Sequence, residues 1–289
     1  MEAIDTSTKP ATADLLAHQR RRMTLERANP RAVGFTLLLL FLTAAGVQNA
    51  IVLTWINVTG GNLSQPGTIY GLALVFAQQG LVALACGFSR QHIALRTSLF
   101  LAAVLISGDL ACRYDGRGGM YGTWMLTMLA HGLFVLCGVC FRRITGARLI
   151  LEGESATDEP QRWQFNLLRL FAVTTIAAVL LGIFSQFRIN SDELPDMLYQ
   201  AAMLALLPLQ VAFCVLAKER FFTIVIVGFA TVCLVGILLG VLLPDADTLS
   251  MLWLTLLQSL MMHAAISIVQ QAGYRIADGE RAAKNEGSG

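Results

Sequence analysis

The chain has 289 residues, of which 55% are hydrophobic and only 14% charged, with a formal net charge of +2. Ordinary soluble domains carry about 25% charged residues, so a soluble globule of this composition would lack its charged skin. The small net charge, with no basic block beyond the N-terminal segment, argues against nucleic acid as a partner.

Residues 1–32 are polar, with Arg20, Arg21, Arg22, Arg27 and Arg31 just ahead of the first apolar run. That run is too long for the core of a signal peptide. The segment therefore reads as a cytoplasmic, topology-setting flank whose arginines lie near anionic lipid head groups.

Eight apolar segments follow, near 34–56, 67–88, 93–112, 119–141, 165–187, 196–217, 221–243 and 250–272. A helix of about 20 residues crosses about 30 Å of hydrocarbon. These runs are too long and too uniformly apolar for barrel strands, so each is expected to be a spanning helix. With the first flank inside, all of the 21 Lys and Arg except Arg113, Arg117 and Arg188 fall on the same side. The positive-inside rule then places both termini and the central connection in the cytoplasm. The sequons Asn57-Val-Thr59 and Asn62-Leu-Ser64 lie in the first outer loop.

The longest connection, with Glu152, Glu154, Asp158, Glu159 and Pro160 at its centre, divides the chain. Residues 33–148 form one four-helix unit, 149–163 a cytoplasmic linker, 164–281 a second unit and 282–289 a flexible tail. The two units resemble each other. Phe35 to Phe41 lies over Phe165 to Phe171, Pro66 with Tyr70 over Pro195 with Tyr199, and His131 over His263, 132 residues on. Each histidine run ends in a basic, glycine-bearing tail, Phe141 to Arg148 and Gly273 to Glu280. An even number of spans inserts both copies the same way up, which makes a parallel repeat about an axis along the membrane normal. The expected fold is thus all-α and integral to a membrane: eight transmembrane helices in two parallel four-helix repeats.

Within this frame the chemistry rests on two polar faces. Ser259, His263, Ser267 and Gln270 align on the last span, and Thr123, Thr127, His131 and Gly138 on the fourth. Polar stripes in spanning helices face protein, because an unpaired polar group in hydrocarbon is costly. If the halves pack symmetrically, His131 and His263 lie at one depth, and three readings of the pair stay open. They are neutral hydrogen-bonding groups between helices, or a proton-responsive or substrate-contacting pair, or axial ligands of a haem b held between the halves. Pro208 is expected to kink the sixth span and free a carbonyl. Gln48, Asn49, Gln78 and Gln79 need partners, and Asp109 is placed to pair with Arg113.

Six cysteines, mostly inside apolar runs, read as packing residues, and Cys137-x-x-Cys140 lacks the second pair a zinc site needs. Two histidines without a nearby carboxylate make a poor non-haem metal site. No phosphate loop, metalloprotease helix or nucleophile elbow is present, so an enzyme is unsupported. No cofactor other than that haem b alternative is expected.

The stretch from Trp163 to Gly182 resembles an opening common in uncharacterised multi-pass membrane proteins of planctomycete bacteria. Those proteins begin a span with Phe-Ser-Leu-Arg, followed by Leu-Leu, Thr and Ala. Phe165, Leu167, Arg169 and Thr174 stand at the matching places, and Asn166 replaces the serine. The resemblance covers residues 163–182 and implies a bacterial inner membrane; it carries no catalytic residue. The function expected is a structural, assembly or sensing component, with a small-solute or ion transporter as the first alternative and a haem protein as the second.

Overall fold

The computed structural model describes residues 36, 43–44, 46–54, 58, 65–88, 92–116, 120–144, 147–151, 192–216, 221–243, 247–271 and 274–278. Contacts divide the chain into two units, Met1–Thr43 and Ala44–Gly289. Of the first only Thr36 and Thr43 are described, both helical. In the second, the described elements are α1 (Gln65–Phe88), α2 (Ile93–Asp115), α3 (Tyr121–Ile144), β1 (Ala147–Leu151), α4 (Leu194–Leu216), α5 (Phe221–Leu242), α6 (Thr248–Gln271) and β2 (Tyr274–Asp278). Among the described residues all six of these helices are long and apolar enough to cross a membrane. The protein is a multi-pass membrane protein.

These helices coincide with six of the eight apolar segments, with ends shifted by no more than a turn. Residues 46–54, inside the first segment, are also helical. The fifth segment, 165–187, the asparagine and hydroxyl residues of both sequons and the stretch resembling planctomycete proteins lie outside the described residues. Local chemistry sets several ends. Ala94 N donates to His92 Nδ1 at 3.3 Å to cap α2, and Gly116 closes that helix in the left-handed conformation at φ 69°. At the start of α6, Ser250 Oγ and Ser250 N donate to the Asp247 carboxylate at 2.8 and 3.1 Å, and Leu249 N at 3.4 Å. Those bonds, the Ser250 hydroxyl foremost, hold the exposed Asp247 carboxyl below its ordinary range.

Contacts between the helices fix their directions. His131 meets Ala201 and Gly138 meets Leu209, so α3 and α4 run parallel. Gly80 meets Pro208 and Phe88 meets Phe213, which makes α1 parallel to α4. Gln258 and Gln270 reach Leu204 and Val215, so α6 is parallel to α4 as well. These four helices form the centre, and α1 is the most enclosed of the six spans. α2 packs antiparallel on α1 and α3, and α5 packs antiparallel on α6 and α4. The bundle thus has a Gln65 end, where the four parallel helices begin, and an opposite end where they finish.

Glycines let the backbones approach, as they do in membrane interfaces that have no water to expel. A methyl group at Gly108 would meet Met125 Cγ at 2.7 Å and its Cα at 3.0 Å. One at Gly236 would meet Leu252 Cδ2 and Cα at 2.7 and 3.0 Å. At the finishing end, β1 and β2 pair antiparallel in the register Ala147↔Asp278, Leu149↔Ile276, Leu151↔Tyr274. The basic, glycine-bearing tails that follow the two histidine runs therefore pair with one another, and β1 takes up the first residues of the expected linker.

Buried amides tie the helical residues 46–54 to this bundle. Asn49 Nδ2 donates to Gln78 Oε1 at 2.9 Å, and Tyr114 Oη donates to Asn49 Oδ1 at 2.8 Å. Asn49→Leu would strand Tyr114, which is 1% exposed, together with Gln78. We expect it to lower stability in detergent by about 1–3 kcal/mol, measured by equilibrium unfolding. A loss no larger than that of the exposed neighbour Gln48→Leu would show that the bridge contributes nothing.

Candidate functional site

His131 sits in the middle of α3 and is completely buried. Its Nδ1 lies 3.1 Å from the carbonyl oxygen of Ala201 in α4. Only a protonated nitrogen can pair with a carbonyl, so Nδ1 donates. Nε2 is buried without a hydrogen-bond partner among the described residues, 3.5 Å from where a Gly80 Cβ would stand. The Phe76 ring packs edge-on against the imidazole at 5.1 Å, and Trp124 packs on Phe76 at 6.4 Å.

Pro208, inside α4, has no N–H for the carbonyl of Leu204 one turn earlier. The amide of Gln258 fills the vacancy: its Nε2 donates to Leu204 O at 3.2 Å. Gln258 is fully buried, and its Oε1 has no partner among the described residues. Ala201, Leu204 and Pro208 share one face of α4. His131 and Gln258 thus approach the same face from α3 and α6.

The other residues expected in the site are more local. Thr123 and Thr127 are fully buried, and Thr127 Oγ1 donates to Thr123 O at 2.8 Å within its own helix. His263 Nδ1 lies 2.9 Å from Ser259 O and 3.3 Å from Ser259 Oγ, again within one helix. Ser259 is buried, while His263 and Ser267 are half-buried. The Nε2 edge of His263 faces Gly228 in α5, and Gln210 of α4 reaches the same place. Further along, Gln270 Nε2 donates to Val215 O at 2.9 Å.

The two histidines do not stand at one depth, which corrects the sequence expectation. Measured along α4, His131 is level with Ala201 and His263 with Gln210, on the order of 10 Å further along. The physical reason is where the helices start. His131 is ten residues into α3, from 121 to 131, and His263 fifteen into α6, from 248 to 263. A bis-histidine haem would need both rings to face one gap. Here Nε2 of His131 is closed off by Gly80 and Pro208, which pack so tightly that a Gly80 methyl would lie 3.1 Å from the proline ring. A porphyrin does not fit at that nitrogen.

No group of three or more His, Cys, Asp or Glu able to hold a metal ion occurs among the described residues. All six cysteines are free thiols, Cys137 and Cys140 included. Asp109 pairs with Arg113 at 2.8 Å on the surface, where such a pair contributes little.

No family model, curated protein or solved structure matches this chain. The arrangement must therefore be read from its own geometry. Gln258 carries more of the polar structure than the threonines expected there. Its signal in the sequence was being an amide in an otherwise apolar run, which in hydrocarbon must find a partner.

Proposed function

We propose that this chain is a structural or assembly component of a bacterial inner membrane, formed by duplication of a four-helix unit, with both termini cytoplasmic. The observation that carries this reading is the seam between α1, α3, α4 and α6. It is closed at its centre, where Gly80 seats on Pro208, Gly138 on Leu209, and His131 and Gln258 both bond to α4 carbonyls. A transporter working between two halves needs an opening there instead.

Duplication is supported by a steady offset. α1 and α4 begin 129 residues apart (65 and 194), α2 and α5 128 (93 and 221), α3 and α6 127 (121 and 248). The ribbon continues the series, because its central pair, Leu149 and Ile276, is also 127 apart. Two equivalent strands paired about their own midpoint are what a two-fold relation requires. In this register Gly108 against Met125 corresponds to Gly236 against Leu252, and the counterpart of His131 is Gln258 rather than His263. The cytoplasmic assignment rests on the side that holds most of the Lys and Arg, with the N-terminal arginines near anionic lipid head groups.

Reconstitution into liposomes tests the structural reading. Proton uptake, followed by a trapped pH dye, and osmotic swelling in small polar solutes are expected to match protein-free vesicles. A protein-dependent flux that His263→Leu abolishes would replace this reading with a transporter.

A further inference from the structure

The two outlying helices, α2 and α5, are equally exposed along their spans but do not present the same surface. α5 contains no Asp, Glu, Lys or Arg. On α2, Arg113 Nε donates to Asp109 Oδ2 at 2.8 Å, and the two side chains are 60% and 43% exposed. This pair faces away from the bundle. Asp109 lies six residues before the end of α2, from 109 to 115, or about 9 Å inside the Gln65 end. Ionisable groups within spans almost always face protein, because hydrocarbon offers them no partner.

The duplication register supplies the contrast. The 128-residue offset between α2 and α5 (93 and 221) places Ser98, Ile106, Asp109 and Arg113 over Ile226, Leu234, Ile237 and Val241. Those four positions of α2 fall within about a quarter turn of one another, so they form one stripe along the helix. On α5 the same stripe is exposed and wholly apolar, with Ile237 at 47% and Val241 at 69%, as contact with lipid requires. On α2 it carries a hydroxyl and two opposite charges. The bond between those charges engages one nitrogen and one oxygen. Asp109 Oδ1 and the two Nη groups of Arg113 make no further hydrogen bond among the described residues.

We propose that this face of α2 binds the same face of a second copy of the chain. Both copies insert the same way up, so their two-fold axis lies along the membrane normal and the paired α2 helices run parallel. Each residue then meets its own copy at its own depth. Side chains lean toward the N-terminus of a helix, so Arg113 reaches back to the level of Asp109, on its own helix and on the other copy's alike. Asp109 Oδ1 of each copy accepts from the Nη groups of the other. The surface is complementary to itself in charge: one copy supplies both signs, and the two-fold brings each sign to its opposite. A partner bearing a single sign would leave half of the pair unmet. The contrast with α5 rests on the duplication reading, but the exposed pair does not. Nor does the association rest on the structural reading of function, since a transporter is equally free to dimerise and flux is measured separately.

Energy transfer between two fluorescently tagged populations of the full chain in liposomes tests this. Wild-type transfer is expected to persist as lipid is added, above the chance level that dilution sets. Asp109→Arg and Arg113→Asp each place like charges across the axis, and each is expected to weaken self-association about tenfold or more. Mixed with one another, the two variants are expected to associate as the wild type does, because one now carries two positive charges at this place and the other two negative. The exchange Asp109→Arg/Arg113→Asp keeps the pair within the helix and is expected to self-associate undiminished, which separates lost complementarity from misfolding. Wild-type transfer that falls to the chance level overturns the proposal, and is the result if lipid head groups or another protein meet the pair. Either single variant self-associating at wild-type strength overturns it as well, and so does a mixture no stronger than its parts.

Discussion

Gln258→Leu is expected to destabilise the protein by about 1–3 kcal/mol, and adding Pro208→Ala to it is expected to return most of that loss. The reasoning is local. Pro208 removes the N–H that would have closed the turn onto Leu204, and Gln258 donates to that carbonyl instead, at 3.2 Å. Leucine at 258 leaves the Leu204 carbonyl beside a proline in a buried, apolar setting, where nothing else can reach it. Alanine at 208 restores the missing N–H, so the carbonyl no longer needs the amide. The two substitutions should therefore couple with an energy of about 0.5–3 kcal/mol, read from a double-mutant cycle of unfolding in mixed detergent. Pro208→Ala also removes the ring packed on Gly80, which sets a small cost of its own, but that cost is independent of residue 258. Strictly additive effects would mean that Gln258 acts through packing alone.

The same pair of residues shows how far the sequence could be read. Segment length and hydropathy located six described helices, because the requirement to cross hydrocarbon is written locally and at every position. The freed carbonyl one turn before Pro208 was legible too, since a missing N–H follows from residue type. The identity of the donor was not. Helical periodicity drew attention to Ser259, His263 and Ser267, yet the buried stripe of α6 includes Gln258, Met262, Ala265 and Ile266, one position away along the helix and about 100° around it. Polar identity chose the first stripe; packing against α4 selects the second.

Helix starts bear on how the two four-helix stretches are compared: they lie 129, 128 and 127 residues apart, where matching the histidines demands 132. The ribbon was invisible to local pattern as well. A five-residue strand following a basic turn carries no signal for a partner more than a hundred residues further along the chain, and the pairing of Ala147–Leu151 with Tyr274–Asp278 arises only in the folded bundle.

Three glycines of α5 should respond in opposite ways to the same added methyl group. Gly228→Ala is expected to be neutral or stabilising by up to about 1 kcal/mol, since alanine is the better helix former and its Cβ finds nothing closer than 3.6 Å. Gly236→Ala drives the methyl to 2.7 Å from Leu252 Cδ2 and 2.9 Å from Thr255 Oγ1, and overpacking of this kind costs about 1–3 kcal/mol. Gly240→Ala is the most severe, because the nearest atom is backbone, Thr248 Cα at 2.5 Å, and cannot rotate away. Trimming Leu252 to alanine should recover part of the Gly236→Ala loss and none of the Gly240→Ala loss. In α2, Gly108→Ala meets Met125 at 2.7 Å for the side chain and 3.0 Å for Cα, almost the figures found at Gly236. Equal losses at 108 and 236, with no loss at 228, are therefore expected in one series of unfolding midpoints. If alanine at 228 cost as much as alanine at 236, α5 would lie as close to α6 at Gly228 as it does at Gly236, against the 3.6 Å and 2.7 Å contacts that separate the two positions.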